Sequence, residues 1–390
     1  MKRPTVEVAD LLRTHGERFV AENQSWLRYQ QLKVLRAIQR CRTPALGGHL
    51  DRCSGCGHSA ISFNSCRNRH CPKCQAQARQ RWLACREREL LELSYFHVVF
   101  TLPHELNRLC QRNPAVLYNL LFHSVAETLL EVAADPRHLG AEIGFLAILH
   151  TWGQNLLLHP HLHCLVPVGG LSPDHHRWVR PRYRFFLPVG VLKKVFRGKL
   201  LDGLKRAYRR SRLSLGGATA SLKDSKAFRA LLQCLHRKDW VVYVKPAMAG
   251  PTPVLRYLGR YTHRVAISNH RLVSFDGEQV TFRWKDYAHG NKQRLMTLSA
   301  SEFLRRYVQH VLPQGFVRIR QFGFLANRHR SKSITVIRHL LASDAPSQES
   351  SLVISHEAKW QCPRCGHLMQ IGCRLTAREV YLLCERLDTS

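Results

Sequence analysis

The sequence predicts an α+β protein: a central sheet flanked by helices, preceded by a helical, cysteine-rich module and followed by a small cysteine-bearing tail. Three observations lead there. Strand-like and helix-like apolar patterns alternate through the middle of the chain. Seven of the 14 cysteines (Cys41, Cys53, Cys56, Cys66, Cys71, Cys74 and Cys85) crowd into one early segment. After about Ser343 a stretch with Pro346, Ser347, Ser350 and Ser351 interrupts the pattern before Cys362 and Cys365. At 390 residues the chain has room for two or three domains of roughly 100–200 residues. We assign 1–92 to the helical cysteine-rich module, 93–342 to the central domain and 343–390 to a linker and tail.

Taken in order, residues 1–45 carry Leu11, Leu12, Phe19, Val20, Trp26, Leu27, Leu32 and Leu35 at helical spacing, and Gly47-Gly48 ends them. The cysteine block runs to about residue 75, and Ala76–Glu92 reads as a basic helix. Tyr95–Thr101 is aromatic and β-branched and stops at Leu102-Pro103, as a strand does. Glu105–Ala134 has helical spacing. Phe145–Trp152, Leu156–Val168 and Trp178–Phe186 are strand candidates, and Val189–Ser211 a basic helix. Trp240–Lys245 is another strand, followed by a Pro/Gly turn and a short helix bearing Tyr257 and Tyr261. Asp276-Gly277 sits between two strand patterns as a hairpin turn, and Ser299–Val311 reads as a capped helix.

Lys and Arg total 60 against 27 acids, a net charge of +33. Such an excess repels itself, and a polyanionic partner offsets it. With 45% hydrophobic residues the chain can build true cores rather than a basic disordered tail. No apolar run reaches the ~18 residues of a membrane span, and the first residues lack a secretory apolar segment. The expectation is a soluble, internal protein.

Cys53-x-x-Cys56 and Cys71-x-x-Cys74 stand fourteen residues apart. A C-x-x-C turn aims two thiolates at one ion, and two such turns supply the tetrahedral set zinc prefers. Cys66 and His70 lie between them and allow a second ion or an alternative set. The competing reading is a cluster of buried free thiols. Arg67, Arg69, Lys73, Arg79, Arg81 and Arg86 surround the block, so the module presents cations to phosphates. Cys362-Pro-Arg-Cys365 in the tail is a further knuckle, with Cys373 and Cys384 beyond it.

The strongest chemical feature is His159-Pro-His161-Leu-His163. Side chains alternate along a strand, so the three imidazoles share one face. Such a face suits a divalent metal better than a core. Gln154 and His150, just upstream, are candidates for the remaining ligand. Gln154, a neutral oxygen donor, suits a weakly held Mg2+ or Mn2+.

Tyr257 and Tyr261 stand at i and i+4, on one helix face. A phenol needs help from cations or a metal to act as a nucleophile, and Arg256, Arg260, His263 and Arg264 are close in sequence. The competing reading is a core stripe of Val254, Tyr257, Leu258 and Tyr261.

Together, Asn64–Gln75, Phe100-Thr-Leu-Pro103, His161-Leu-His163, Tyr257-Leu-Gly-Arg-Tyr261 and Arg318–Leu325 resemble the rolling-circle insertion-sequence transposases of the two-tyrosine HUH kind, the IS91 type. The resemblance covers nearly the whole chain apart from the tail. It implies an HUH-nuclease-like central sheet, with His161 and His163 as metal ligands and Tyr257 and Tyr261 as nucleophiles. It does not fix whether Gln154, His150 or His159 completes the site. It further implies nicking and rejoining of single-stranded DNA at insertion-sequence ends through a 5′-phosphotyrosine, in a bacterial cytoplasm and in association with the nucleoid. Structural zinc and catalytic magnesium or manganese are the expected cofactors. The segment Arg177–Arg212 holds thirteen Lys/Arg against one acid, and Lys193, Lys194 and Arg197, with Arg260 and Arg264, are the expected DNA contacts. A zinc protein that binds nucleic acid without catalysis is the alternative, and it leaves the histidine strand unexplained. A three-carboxylate transposase fails for want of a spaced acidic trio.

Overall fold

The computed structural model describes residues 4–87, 89–181, 187–248, 250, 253–254, 259, 266–286, 289–342 and 360–387. They divide into two units, one of residues 82–262 with 312–349 and the other of residues 1–81, 263–311 and 350–390.

The first unit is built on a five-stranded antiparallel sheet. Its strand order is Ile319–Gly323, Gly144–Trp152, Leu158–Pro167, Tyr95–Thr101 and Val242–Met248. The histidine strand Leu158–Pro167 is therefore central, hydrogen-bonded on both sides. Because side chains alternate, the sheet has two chemically different faces. Phe96, Val98 and Phe100 join Phe145, Ala147, Leu149, Leu162, Cys164 and Val166 in the main core. Helices Pro114–Ala134, Val189–Arg209 and Ser225–Arg237 contribute Leu121, Phe122, Leu192, Phe196, Leu200, Phe228 and Leu232 to it. Phe196 meets Phe100 and Trp240 edge-on at 5.1 and 5.2 Å. Each such fully buried ring contributes about 1.5–3 kcal/mol. The other face carries His97, Val99 and Thr101 beside His161, His163 and Leu165, and beside Leu146, Ile148 and His150. One face makes the main core, and the other carries the histidines beside a smaller apolar cluster of Tyr95, Leu146, Ile148, Leu165 and Val254.

The second unit holds the N-terminal helices Val8–Glu22 and Tyr29–Gln39. It also holds a sheet of Gly48–Cys53 between Ser59–Phe63 and Met369–Leu375. The meander Leu272–Phe275, Gln279–Asp286 and Lys292–Ser299, with helix Ala300–Val308, completes it. Gly277, at φ +105°, makes the expected turn, and Ser299 caps the helix by accepting from Glu302 N–H at 3.3 Å. Val8 N–H donates to Asn269 Oδ1 at 3.2 Å, and Gln31 Nε2 donates to the Val308 carbonyl at 3.2 Å. The Tyr307 hydroxyl donates to the His70 carbonyl.

Several expectations change. The tail is no separate module: its strand is the third of the N-terminal sheet, and residues 263–311 pack with 1–81 rather than with the central sheet. The long helix expected at 105–134 is split at Asn113-Pro114, because proline cannot donate the helical hydrogen bond. Helices Ser225–Arg237 and Arg330–Ala342 and edge strand Ile319–Gly323 were not anticipated. The edge strand is five residues long with arginine at 320, too short and too polar to announce itself. Of the strand expected at Trp178–Phe186, Trp178–Val179 forms and 182–186 lie outside the described residues. Among the described residues, no helix is long and apolar enough to cross a membrane.

Candidate active site and metal centres

Antiparallel register assembles the histidine site. His161 faces His150 on one neighbouring strand and Thr101 on the other, while His163 faces Ile148 and Val99. One nitrogen each from His150, His161 and His163 falls within 4.8 Å of the others. The ring of His150 lies 4.4 Å from that of His163 and stacks on Trp152 at 4.5 Å. Gln154 belongs to the turn joining the two strands, four residues past His150, and His159 is exposed with its ring 5.0 Å from that of His161.

A hydrogen bond fixes the tautomer of His161, while that of His163 follows from which ring donates in its contact with His97. His161 Nδ1 lies 2.6 Å from the carbonyl of His159, which can only accept, so the proton sits on Nδ1 and the Nε2 lone pair is free. His163 Nδ1 lies 2.8 Å from His97 Nε2. With His163 as donor there, its Nε2 turns a lone pair toward His161; with His97 as donor, His163 Nε2–H donates to His161 Nε2 instead. These two Nε2 atoms stand 3.1 Å apart. In the first arrangement the two facing lone pairs repel each other unless a cation lies between them, and that is the arrangement a bound metal selects. Bonds of about 2.1 Å to one ion separate two nitrogens by roughly 3.0–3.4 Å, which the observed spacing meets. The donor set therefore fits a divalent metal.

Burial keeps these rings neutral. It holds His161 down at about 4, with the His159 charge adding to the effect. His97 is held at about 3 by burial and then by Lys245 and His161. His163 lies well below its ordinary value through burial and the neighbouring His150, His161, His97 and Lys245. All three are lone-pair donors at neutral pH.

Beyond His97, two further residues share this sheet face, and the sequence alone does not place them there. Tyr243 is opposite Val99 and Lys245 opposite His97 on the edge strand, both exposed. Their signal was present in the alternation of Trp240–Lys245, but only the register shows which side they share. By contrast, Lys193, Lys194 and Arg197 belong to a helix whose buried stripe packs on the opposite face. Lys193 pairs with Asp239 at 2.7 Å, and Arg197 donates to the Lys238 carbonyl at 3.4 Å. They do not line the histidine face. Tyr257, Tyr261, Arg260 and Arg264 lie outside the described residues. The described residues Pro253 and Val254 are helical, and Val254 is fully buried among Tyr95, Leu146, Ile148 and Leu165 on the histidine face.

Among the described residues eight cysteines form two quartets, and the expected set of Cys53, Cys56, Cys71 and Cys74 is not one of them. Cys71 and Cys74 converge with Cys41 and Cys66, while Cys53 and Cys56 converge with Cys362 and Cys365. In the first quartet Cys74 Sγ lies 3.4 Å from Cys41 Sγ and 3.5 Å from Cys66 Sγ. Hydrogen bonds from Cys66 and Cys71 hold the Cys41 thiol down at about 7. His70 stays out of the quartet: its Nδ1 lies 3.2 Å from Asn68 Oδ1. A C-x-x-C turn supplies two sulfurs and says nothing of their partners.

Residues 11–102 match a family described as transposase zinc-binding domain, and residues 144–333 a family described as putative transposase. The chain is 50% identical over 375 residues to putative transposase y4qJ of Sinorhizobium fredii (strain NBRC 101917 / NGR234), covering 94% of each chain. It is 28% identical over 373 residues to the transposase for insertion sequence element IS801 of Pseudomonas savastanoi pv. phaseolicola, covering 89% of this chain and 86% of that one. No solved structure matches significantly.

Proposed function

The chain belongs to the IS91-type transposases with an N-terminal zinc-binding domain, and from that premise we propose that it nicks and rejoins single-stranded DNA through a phosphotyrosine. One observation carries the reading: three imidazoles, of His150, His161 and His163, converge on one face of the central sheet. Val254, three residues before Tyr257, is buried against that same face. A non-catalytic binding protein has no use for such a cluster.

His150, His161 and His163 would hold a divalent ion, which when bound supplies Lewis-acid polarisation of the scissile phosphate. An all-nitrogen set disfavours Mg2+, the more strictly oxygen-seeking of the two expected ions, and leaves Mn2+ as the better fit of the pair. The phenol oxygen of Tyr257 or Tyr261 attacks phosphorus. Its bond to phosphorus forms as the bond to O3′ breaks; the phenol gives up its proton to solvent, and O3′ leaves with the electron pair and takes up a proton in turn. One phosphodiester becomes another, so rejoining needs no external energy. The second tyrosine accepts the second strand. Tyr243 and Lys245 offer this face a base-stacking ring and a phosphate partner.

The test is to incubate the full chain with labelled single-stranded oligonucleotides from the flanks of its own gene and Mn2+. A covalent adduct on the peptide containing Tyr257 or Tyr261 is expected. No adduct, or one on any other residue, overturns the reading.

His97 acts as a positioning residue: its Nε2 lies 2.8 Å from His163 Nδ1, and by accepting that proton it would hold His163 in the metal-binding tautomer. His97→Ala is expected to weaken Mn2+ binding about 10–100-fold, the usual effect of losing such a partner. His97→Gln, whose amide oxygen also accepts, should recover much of it. Mn2+ titration by electron paramagnetic resonance reads both, and equal affinities in the two variants would remove the role.

Tyr243→Ala should weaken single-strand binding by about 1–3 kcal/mol with an unchanged salt slope. Lys245→Ala should lower that slope by about 0.7. Fluorescence anisotropy across a salt series separates stacking from charge.

A further inference from the structure

The second cysteine quartet joins two segments that repeat one pattern, Cys53-Ser-Gly-Cys56-Gly57-His58 and Cys362-Pro-Arg-Cys365-Gly366-His367. Cys56 and Cys362 are 306 residues apart in the chain. The backbone repeats as well. Cys53 N–H donates to the His58 carbonyl at 2.8 Å, and Gly57 N–H to the Cys53 carbonyl at 3.2 Å. In the tail, Cys362 N–H donates to the His367 carbonyl at 2.7 Å, and Gly366 N–H to the Cys362 carbonyl at 2.9 Å. Gly57 and Gly366 both take left-handed backbone, at φ +70° and +75°, which a side chain would strain. A Cβ on Gly55 would stand 2.7 Å from the His367 ring, so glycine lets the two turns meet.

Cys53 Sγ lies 3.3 Å from Cys365 Sγ, and Cys56 Sγ lies 3.7 Å from Cys362 Sγ. A disulfide needs about 2.05 Å. Four sulfurs about 2.3 Å from one tetrahedral ion stand roughly 3.8 Å apart, close to what is seen. Gly55 N–H points at Cys53 Sγ from 3.3 Å, as suits a thiolate. Strand Met369–Leu375 then leaves the second turn and pairs with Gly48–Cys53, with Met369 opposite Cys53.

We propose that Cys53, Cys56, Cys362 and Cys365 form a second tetrathiolate zinc site, in which the tail supplies half of a zinc ribbon begun near the N-terminus. The zinc-binding family match, residues 11–102, contains only two of these four ligands. The site is therefore finished only when the chain has been made past Cys365, and metal removal frees the tail from the N-terminal sheet.

Zinc per full-length chain is the first measurement. Cys53→Ser/Cys56→Ser should lose about one ion, Cys362→Ser/Cys365→Ser about one, and the quadruple variant still about one, because the pairs share it. Cys41→Ser/Cys66→Ser should lose a different ion. Loss of two ions in the quadruple variant relative to the unaltered chain, or full zinc in Cys362→Ser/Cys365→Ser, overturns the proposal. A variant that does not fold is replaced by alkylation of the unaltered, zinc-loaded protein. Cys56, Cys365 and Cys373 are all exposed. Cys373 should react with a maleimide at once, while Cys56 and Cys365 resist and become reactive together on chelation. Reaction of Cys365 at the rate of Cys373 while Cys56 stays protected would also overturn it.

Discussion

Tyr257→Phe/Tyr261→Phe is expected to eliminate the covalent protein–DNA complex while leaving the fold and single-strand binding nearly unchanged. Phenylalanine keeps the ring and removes only the oxygen proposed to attack phosphorus. Each single variant should still nick, with the adduct moved to the remaining tyrosine, but should not complete strand exchange. His161→Ala or His163→Ala should slow nicking by about 10³-fold or more, since the loss of Lewis-acid stabilisation amounts to several kcal/mol at about 1.4 kcal/mol per factor of ten. DNA affinity should survive, being supplied by phosphate contacts elsewhere. The core-stripe reading of the tyrosines makes the contrary prediction: full activity and an unaltered adduct in the double variant. Tryptic mapping after nuclease digestion separates the two.

Cys71→Ser/Cys74→Ser should have the larger effect on stability. A structural zinc site contributes an apparent ~10–16 kcal/mol in small modules, as much as the whole stability of an ordinary domain, about 5–15 kcal/mol. The Cys41–Cys66–Cys71–Cys74 quartet joins the end of helix Tyr29–Gln39 to the start of helix Cys74–Glu87, and the loop between is held by the Tyr307 hydroxyl through the His70 carbonyl. The variant should lose one zinc, show increased protease cleavage within residues 40–75 and bind DNA more weakly. The histidine site, on the other unit, should still take Mn2+. Unchanged zinc by elemental analysis would remove this quartet as a metal site.

Much of this protein is fixed by local chemistry and is legible from the sequence. Tyr95–Thr101 is a strand with the expected bounds because β-branched and aromatic residues end at Leu102-Pro103. His161 and His163 share a face because a strand repeats every two residues, whatever surrounds it. The turn at Asp276-Gly277 and the cap at Ser299 need only their immediate neighbours. The charge of +33 calls for a polyanion without reference to any fold. Partnership between distant segments is a different matter. Antiparallel register brings His150 and His97 to His163. Helix packing on one side of the sheet sets Lys193, Lys194 and Arg197 apart from the histidines and gives their face Tyr243 and Lys245. Nearness along the chain favoured joining Cys53 and Cys56 to Cys71 and Cys74. The fold joins them to Cys362 and Cys365, because closing a longer loop costs only about 0.6 kcal/mol per doubling of its length, while strand pairing with Met369–Leu375 brings a matched pair of thiols into place.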